Sequence, residues 1–137
     1  MWEEVRRAME DVSDGAGDWI DQARLTLLVA EDLLAGGLCE EAVANSFLAM
    51  VYAARAALEV TGGVAQAWED TVHRFQAEAM PGLGLSKENQ RSLVIVADLY
   101  RRVVDTREME ADPLTARACL EDARSFVTEV AEGLAAV

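Results

Sequence analysis

The chemistry available to this chain rests on one histidine (His73), two cysteines (Cys39 and Cys119), twelve basic side chains and 25 acidic ones. A lone histidine with no local signature around it cannot anchor a Ser-His-Asp or Cys-His arrangement. The cysteines stand apart, with no second Cys or His at ligand spacing, and read as reduced, small core residues rather than a disulfide. The acidic pairs Glu3-Glu4, Glu31-Asp32 and Glu40-Glu41 lack the Glu-x-x-His element that metal sites in helical bundles use, and read as solvated faces. "GLG" at 82–84 has neither a following Lys nor a preceding strand, so no phosphate-cradling loop is formed there. No metal or cofactor is implied.

What stands out is a guanidinium where a core is expected. In "ANSFLAMVYAARAAL" (44–58), Arg55 is the single charged residue in an otherwise uncharged, alanine-rich run. Small side chains let helix backbones approach closely, so this helix reads as the central one of a bundle. Glu41, Asn45, Leu48, Tyr52, Arg55 and Glu59 follow steps of four and three, which sets Arg55 in a polar stripe along one side. Two readings of the stripe stay open. Arg55 holds a carboxylate of another helix, or the stripe lines a site or an oligomer interface where Arg suits bidentate recognition of carboxylate or phosphate. Farther on, Asp98 is in reach of Arg101 and Arg102, and Arg101 of Asp105, at i,i+3 or i,i+4 spacing, which reads as a surface salt-bridge ladder.

The elements that must carry these residues are helical throughout. A first short helix has Trp2, Val5, Met9 and Val12 in register and is broken by "SDGAG" (13–17). A second runs over about 18–35, with Trp19, Ala23, Leu27, Ala30 and Leu34 as its apolar stripe and "GG" (36–37) as its stop. The third covers 38–61. The fourth, 65–79, sets Val64, Trp68, Val72, Phe75 and Ala79 on one face, and "MPGLGLS" (80–86) reads as a loop whose Ser86 caps the next helix. The fifth, 87–108, buries Leu93, Val96, Ala97, Tyr100, Val103 and Val104. Asp112-Pro113 then opens the last helix, 113–135, with Ala116, Leu120, Ala123, Val127, Val130 and Leu134 inward. The expected fold is all-α: an antiparallel up-and-down bundle of four long helices plus one or two short ones, in one domain over 1–137, with 1–17 as a short N-terminal helix and break and 18–135 as the bundle core.

The net charge of −13 opposes a phosphate backbone, since no basic cluster exceeds two adjacent residues. Nucleic acid is therefore not an expected partner of the isolated chain. No apolar run approaches the roughly 20 residues of a bilayer span, and "MWEEVRRAMEDV" carries no secretory apolar region, so a cytoplasmic protein without membrane contact is expected.

Several segments together resemble one family. These are "QARLTLLVAEDLLAGGLCEEAV" (22–43), "AMVYAARAALEVTGG" (49–63), "YRRVVDTRE" (100–108) and "LEDARSFVTEV" (120–130). In their order and spacing they are similar to the HEPN domain family, small helical bundles often encoded beside a minimal nucleotidyltransferase and in many cases RNA-cleaving toxins. Arg55 falls on the Arg of the family's A-M-F-H-A-A-R-A-L-L string, and Arg101 and Asp105 on the Arg and Asp of R-x-x-A-D-Y, where Val104 and Thr106 depart from the pattern. Phe47-Leu48 stands where related members often have Tyr-Tyr, and Trp68 where such members have a His. The nuclease signature, Arg then His after four to six residues, is absent: positions 66–68 ahead of His73 are Gln, Ala and Trp.

The resemblance implies a catalytically degenerate HEPN-like binding module, a homodimer acting with a minimal nucleotidyltransferase in a toxin–antitoxin-like or nucleotide-binding setting. Its nucleotide- or partner-binding candidates are Arg55, Tyr52, Asn45, Arg101 and Asp105, with Arg101 and Asp105 facing Arg55 across a helix–helix groove; no catalytic residue is assigned. Two alternatives remain: an active RNase or nucleotide-processing toxin with a composite Arg/Asp site, and a plain interaction scaffold.

Overall fold

The computed structural model describes residues 15–61 and 67–136, so the expected helix at 2–12, Glu3-Glu4 and Val64 lie outside the described residues. Among the described residues five helices follow one another: α1 (Gly15–Ala35), α2 (Cys39–Thr61), α3 (Trp68–Arg74, continuing through a π-helical turn Phe75–Ala79 into Met80–Leu83), α4 (Lys87–Tyr100, continuing into a π-helical turn Arg101–Asp105) and α5 (Pro113–Ala135). There is no strand among the described residues. The all-α bundle read from periodicity is the fold, and the start and end of α5 fall where the sequence sets them.

The junctions follow from local chemistry. Past α1, Gly37 takes φ +78°, a left-handed conformation that costs glycine nothing, and its N–H and that of Leu38 donate to the Leu34 and Leu33 carbonyls at 3.0 and 2.9 Å. Ser86 caps α4 by accepting from Asn89 N at 3.1 Å, and Asp112 caps α5 by accepting from Thr115 N at 2.7 Å. Three boundaries differ from the expectation. Helix α1 begins at Gly15, inside the "SDGAG" (13–17) read as a break. The "MPGLGLS" segment is helical through Leu83, with Pro81 tolerated in the first turn, and only Gly84 (φ +67°) ends it. Helix α4 stops at Asp105 rather than 108, because Arg107 adopts φ +53° and the N–H groups of Glu108 and Met109 turn back onto the Arg102 carbonyl.

Helix α2 is the axis. Ala49, Ala53, Ala54, Ala56 and Ala57 are all buried together with Val43, Phe47, Met50, Val51 and Leu58. Its length and apolarity would also suit a bilayer over Cys39–Val60, yet 61% of its most apolar 18-residue window is buried inside the bundle, so its apolar surface is used as core. Around it, α1 contributes Ala16, Ile20, Ala23 and Ala30, α4 contributes Leu93, Val96 and Val103, and α5 contributes Ala116, Ala123, Val127 and Val130. Phe75 and Phe126 meet with centroids 5.6 Å apart, tying α3 to α5. The cysteines are free, and burial pushes the Cys119 thiol up to about 11, which leaves it protonated and inert at neutral pH.

One carboxylate fastens the α3–α4 junction. Glu129 on α5 accepts from the Ser86 backbone N–H and from Asn89 Nδ2 (3.0 Å), and Asn89 is 4% exposed. Removing the acceptor strands two donors that have little access to water. Glu129→Ala is therefore expected to destabilise the fold by about 1–3 kcal/mol in chemical denaturation, without loss of helical circular dichroism before the transition.

Candidate functional site

The stripe on α2 exists, and it divides into two regions. Its C-terminal half meets an aromatic ring from α1. Trp19 stacks on Tyr52 (centroids 5.5 Å apart, planes 25° apart), and the Arg55 guanidinium carbon lies 5.4 Å from the Trp19 centroid. Trp19 Nε1 donates to Glu59 Oε1 at 3.4 Å. Tyr52, Arg55 and Glu59 sit at i, i+3 and i+7, so one indole spans two turns of α2. Gly15 makes room at the start of α1: a Cβ there would come within 3.1 Å of the Glu59 carboxylate. Sequence periodicity assigns Trp19 to the inward stripe of α1; it lies half-buried at the edge of that stripe, because its N–H and ring faces have polar and cationic partners there.

Arg101 and Asp105 lie elsewhere. Arg101 pairs with Asp98 at 2.5 Å, and the same carboxylate holds Arg102 at 3.2 Å, so no Arg101–Asp105 pair forms. The π-helical turn that carries them packs over the start of α2, where Glu40, Glu41 and Ala44 face Val103, Val104 and Arg107. Arg55 is eleven residues beyond Ala44, about 16 Å along the helix axis. The composite of Arg55 with Arg101 and Asp105 is thus not assembled within the chain.

What the chain does assemble is an aromatic groove. Phe47 on α2, Trp68 at the first position of α3 and Tyr100 at the last α-helical position of α4 meet with centroid distances of 5.2 Å (Phe47–Trp68), 4.8 Å (Phe47–Tyr100) and 5.6 Å (Trp68–Tyr100). Trp68 stands nearly perpendicular to both other rings, at 89° and 78°. With Ala44, Asn45, Leu48 and Val51 they line an open, mostly apolar depression of about 160 Å³. Phe47 is its buried floor, while Trp68 and Tyr100 are half-buried walls. Asn45, one of the candidates from sequence, lines it and donates Nδ2 to the Glu41 carbonyl at 2.9 Å. Helix α4 becomes π-helical directly after Tyr100, a distortion that recurs at functional sites.

The rim is acidic. The Tyr100 phenol is pushed above its ordinary range, first by burial and then by the nearby carboxylates of Asp105 and Glu69. A second depression, bordered by Glu40 and Glu41, adjoins the groove at Ala44. His73 lies apart, exposed on the outer side of α3. Glu31 and Glu40-Glu41 are exposed as expected, Glu31 bridging to Arg124 on α5 at 2.9 Å. No cluster of three potential metal ligands occurs among the described residues. Periodicity, applied to each helix separately, places Phe47, Trp68 and Tyr100 on three apolar stripes and misses their meeting. The available signal is that Phe47-Leu48 and Trp68 are where the chain leaves the Tyr-Tyr and His of the family pattern.

Comparison with known proteins gives this helical bundle a family. The HEPN domain profile matches residues 16–134, nearly the whole described chain, and the chain belongs to the HEPN domain family. Its fold is similar to the crystal structure of TT1696 from Thermus thermophilus, with a TM-score of 0.74 at 20% identity over 88% of this chain and 98% of that one. No curated protein matches the sequence.

Two outcomes are expected. Replacing Arg55 with Met keeps the stem and removes the cation from the Trp19 face, so Arg55→Met should lower stability by about 1 kcal/mol in urea melts. Asp105→Asn should lower the Tyr100 phenol pKa only partway toward the ordinary value, since burial is the larger cause, as read by ultraviolet titration of the two tyrosines.

Proposed function

We propose that this chain is a catalytically degenerate HEPN-type binding module whose partner is a minimal nucleotidyltransferase, in a toxin–antitoxin-like system. The observation that carries the reading is the setting of His73. Metal-independent RNA cleavage needs a base near neutral pKa to take the ribose 2′-OH proton and a cation for the charge that builds on the phosphorane. The one histidine of the chain stands on an exposed helix face among Glu69, Asp70 and Gln76, with no arginine ahead of it at a separation of four to six residues. Arginines elsewhere can hold a phosphate, but a guanidinium does not shuttle protons at neutral pH. A net charge of −13 adds a general repulsion of RNA.

A protein partner is favoured over a free nucleotide by the rim of the groove. Its aromatic walls would accept a base, but Glu69 and Asp105 beside Tyr100 oppose the phosphates that a nucleotide brings. Exposed apolar side chains on α1 (Leu25, Leu28, Val29) and on α4 (Val94, Ile95) offer faces through which two copies would form the homodimer.

The test is incubation of the purified chain, in excess, with total RNA, beside the His73→Ala variant. Intact RNA with both proteins is expected; degradation that disappears in His73→Ala would overturn the reading. The neighbouring gene is expected to encode a minimal nucleotidyltransferase, and the two purified chains to co-elute with the summed mass in light scattering.

A further inference from the structure

We propose that the Phe47–Trp68–Tyr100 groove is a cation-recognition site, built to take the guanidinium of an arginine side chain presented by a partner protein. Two independent features converge on this chemistry. Aromatic rings carry negative faces and positive edges, so a cation is attracted to the ring face, most strongly to Trp. The groove is formed by three rings, two of them half-exposed, with Trp68 set edge-on to both others so that the ring planes turn in different directions around one depression. An aliphatic side chain would use such walls as apolar surface alone; a cation also draws on their electrostatics.

The second feature is the charge around the rings. Glu69 follows Trp68 in the first turn of α3, and Asp105 closes the π-helical turn that begins after Tyr100, so each wall carries a carboxylate beside it. Glu40 and Glu41 border the depression that joins the groove at Ala44, and Arg107, on the far side of that depression, is the counter-charge there. Arg101 and Arg102 do not offset the rim, because Asp98 already holds both. The polar lining residue agrees. Asn45 spends one of its two Nδ2 hydrogens on the Glu41 carbonyl, and its Oδ1 can accept from a donor-only guanidinium. Guanidinium is favoured over ammonium because it is planar, weakly hydrated and stacks on an aromatic face. The depression of about 160 Å³ holds one side-chain head and not a folded element, so the arginine would be an anchor within a larger contact.

The inference rests on the binding-module reading and names the chemistry of the partner's contact. It is tested on the full chain by following the Trp68 indole N–H and Tyr100 ring resonances during titration with N-acetyl-arginine amide, N-acetyl-norleucine amide and AMP. The Trp68 indole signal is assigned from its absence in Trp68→Phe. Saturable shifts with the arginine probe are expected, with the norleucine probe weaker by about tenfold. The double variant Glu69→Gln/Asp105→Asn, which alters two exposed side chains and leaves the core untouched, should weaken the arginine probe by about threefold and abolish most of the salt dependence. Equal binding of the norleucine probe, AMP shifting these resonances where arginine does not, or no response to arginine up to its solubility would each overturn the proposal. Movement of the Trp68 resonance on protein dilution alone would put a second copy in the groove and overturn it as well. RNA cleavage by the chain would sink the non-catalytic reading yet leave this titration's result unchanged, so the two fail separately.

Discussion

The density of α2 governs the rest of the molecule. Half of the buried positions of α2 are alanine, which lets its neighbours come close, while Phe47, Met50 and Leu58 fill the space that remains. At Tyr52, Arg55 and Glu59 the larger residues reach past the alanines to the margin of α1, and there they find Trp19. At Phe47 and Leu48 the alanine run has not yet closed in, and α3 and α4 fill the opening with Trp68 and Tyr100 instead of more aliphatic core. Both polar–aromatic regions thus depend on the packing of one helix, along adjoining stretches of it.

The two regions use aromatic surface differently. Trp19 is already occupied: Tyr52 covers it, Arg55 sits over it, and its N–H is bonded to Glu59. A ring engaged on this scale holds α1 against α2 and has little left to offer a ligand. The Phe47–Trp68–Tyr100 set has no cation of its own over any of its rings among the described residues, and it borders open space. The same cation–ring attraction that is satisfied internally along one stretch of α2 is available to an outside partner along the next.

Legibility in the sequence follows the same division. Helical periodicity locates all five described helices, and the caps at Ser86 and Asp112 and the stop at Gly37 are readable because each depends on one or two neighbouring residues. The π-helical turns are not readable: nothing in "FQAEA" or "RRVVD" marks them, and they arise from how α3 and α4 settle against the core. "MPGL" looks like a loop from its Pro and Gly, although Pro is harmless in a first helical turn. The polar stripe of α2 is visible in the spacing of its residues, but its partner is not, since a tryptophan at the edge of an apolar stripe looks the same in sequence as one inside it. The spacing also brings out Asn45, which lines the groove; the grouping of Arg101 and Asp105 with Arg55 comes from the family resemblance and does not form, because a shared pattern says nothing of the axial offset between two helices.

The position of Trp68 joins the fold to its chemistry. In the family pattern that this chain resembles, a histidine stands where this chain has Trp68. Tryptophan cannot exchange a proton at neutral pH, and its N–H only donates. It brings instead the largest ring face available, set against Phe47 and Tyr100 on a rigid, buried floor. A non-titrating ring at this position offers a face to a cation and no proton to a reaction. The acidic rim then acts in the same direction, since carboxylates beside the groove hinder a phosphate and assist a guanidinium. Trp68 thus puts a ring face without a titrating group beside Phe47, on a floor that the packing of α2 keeps buried.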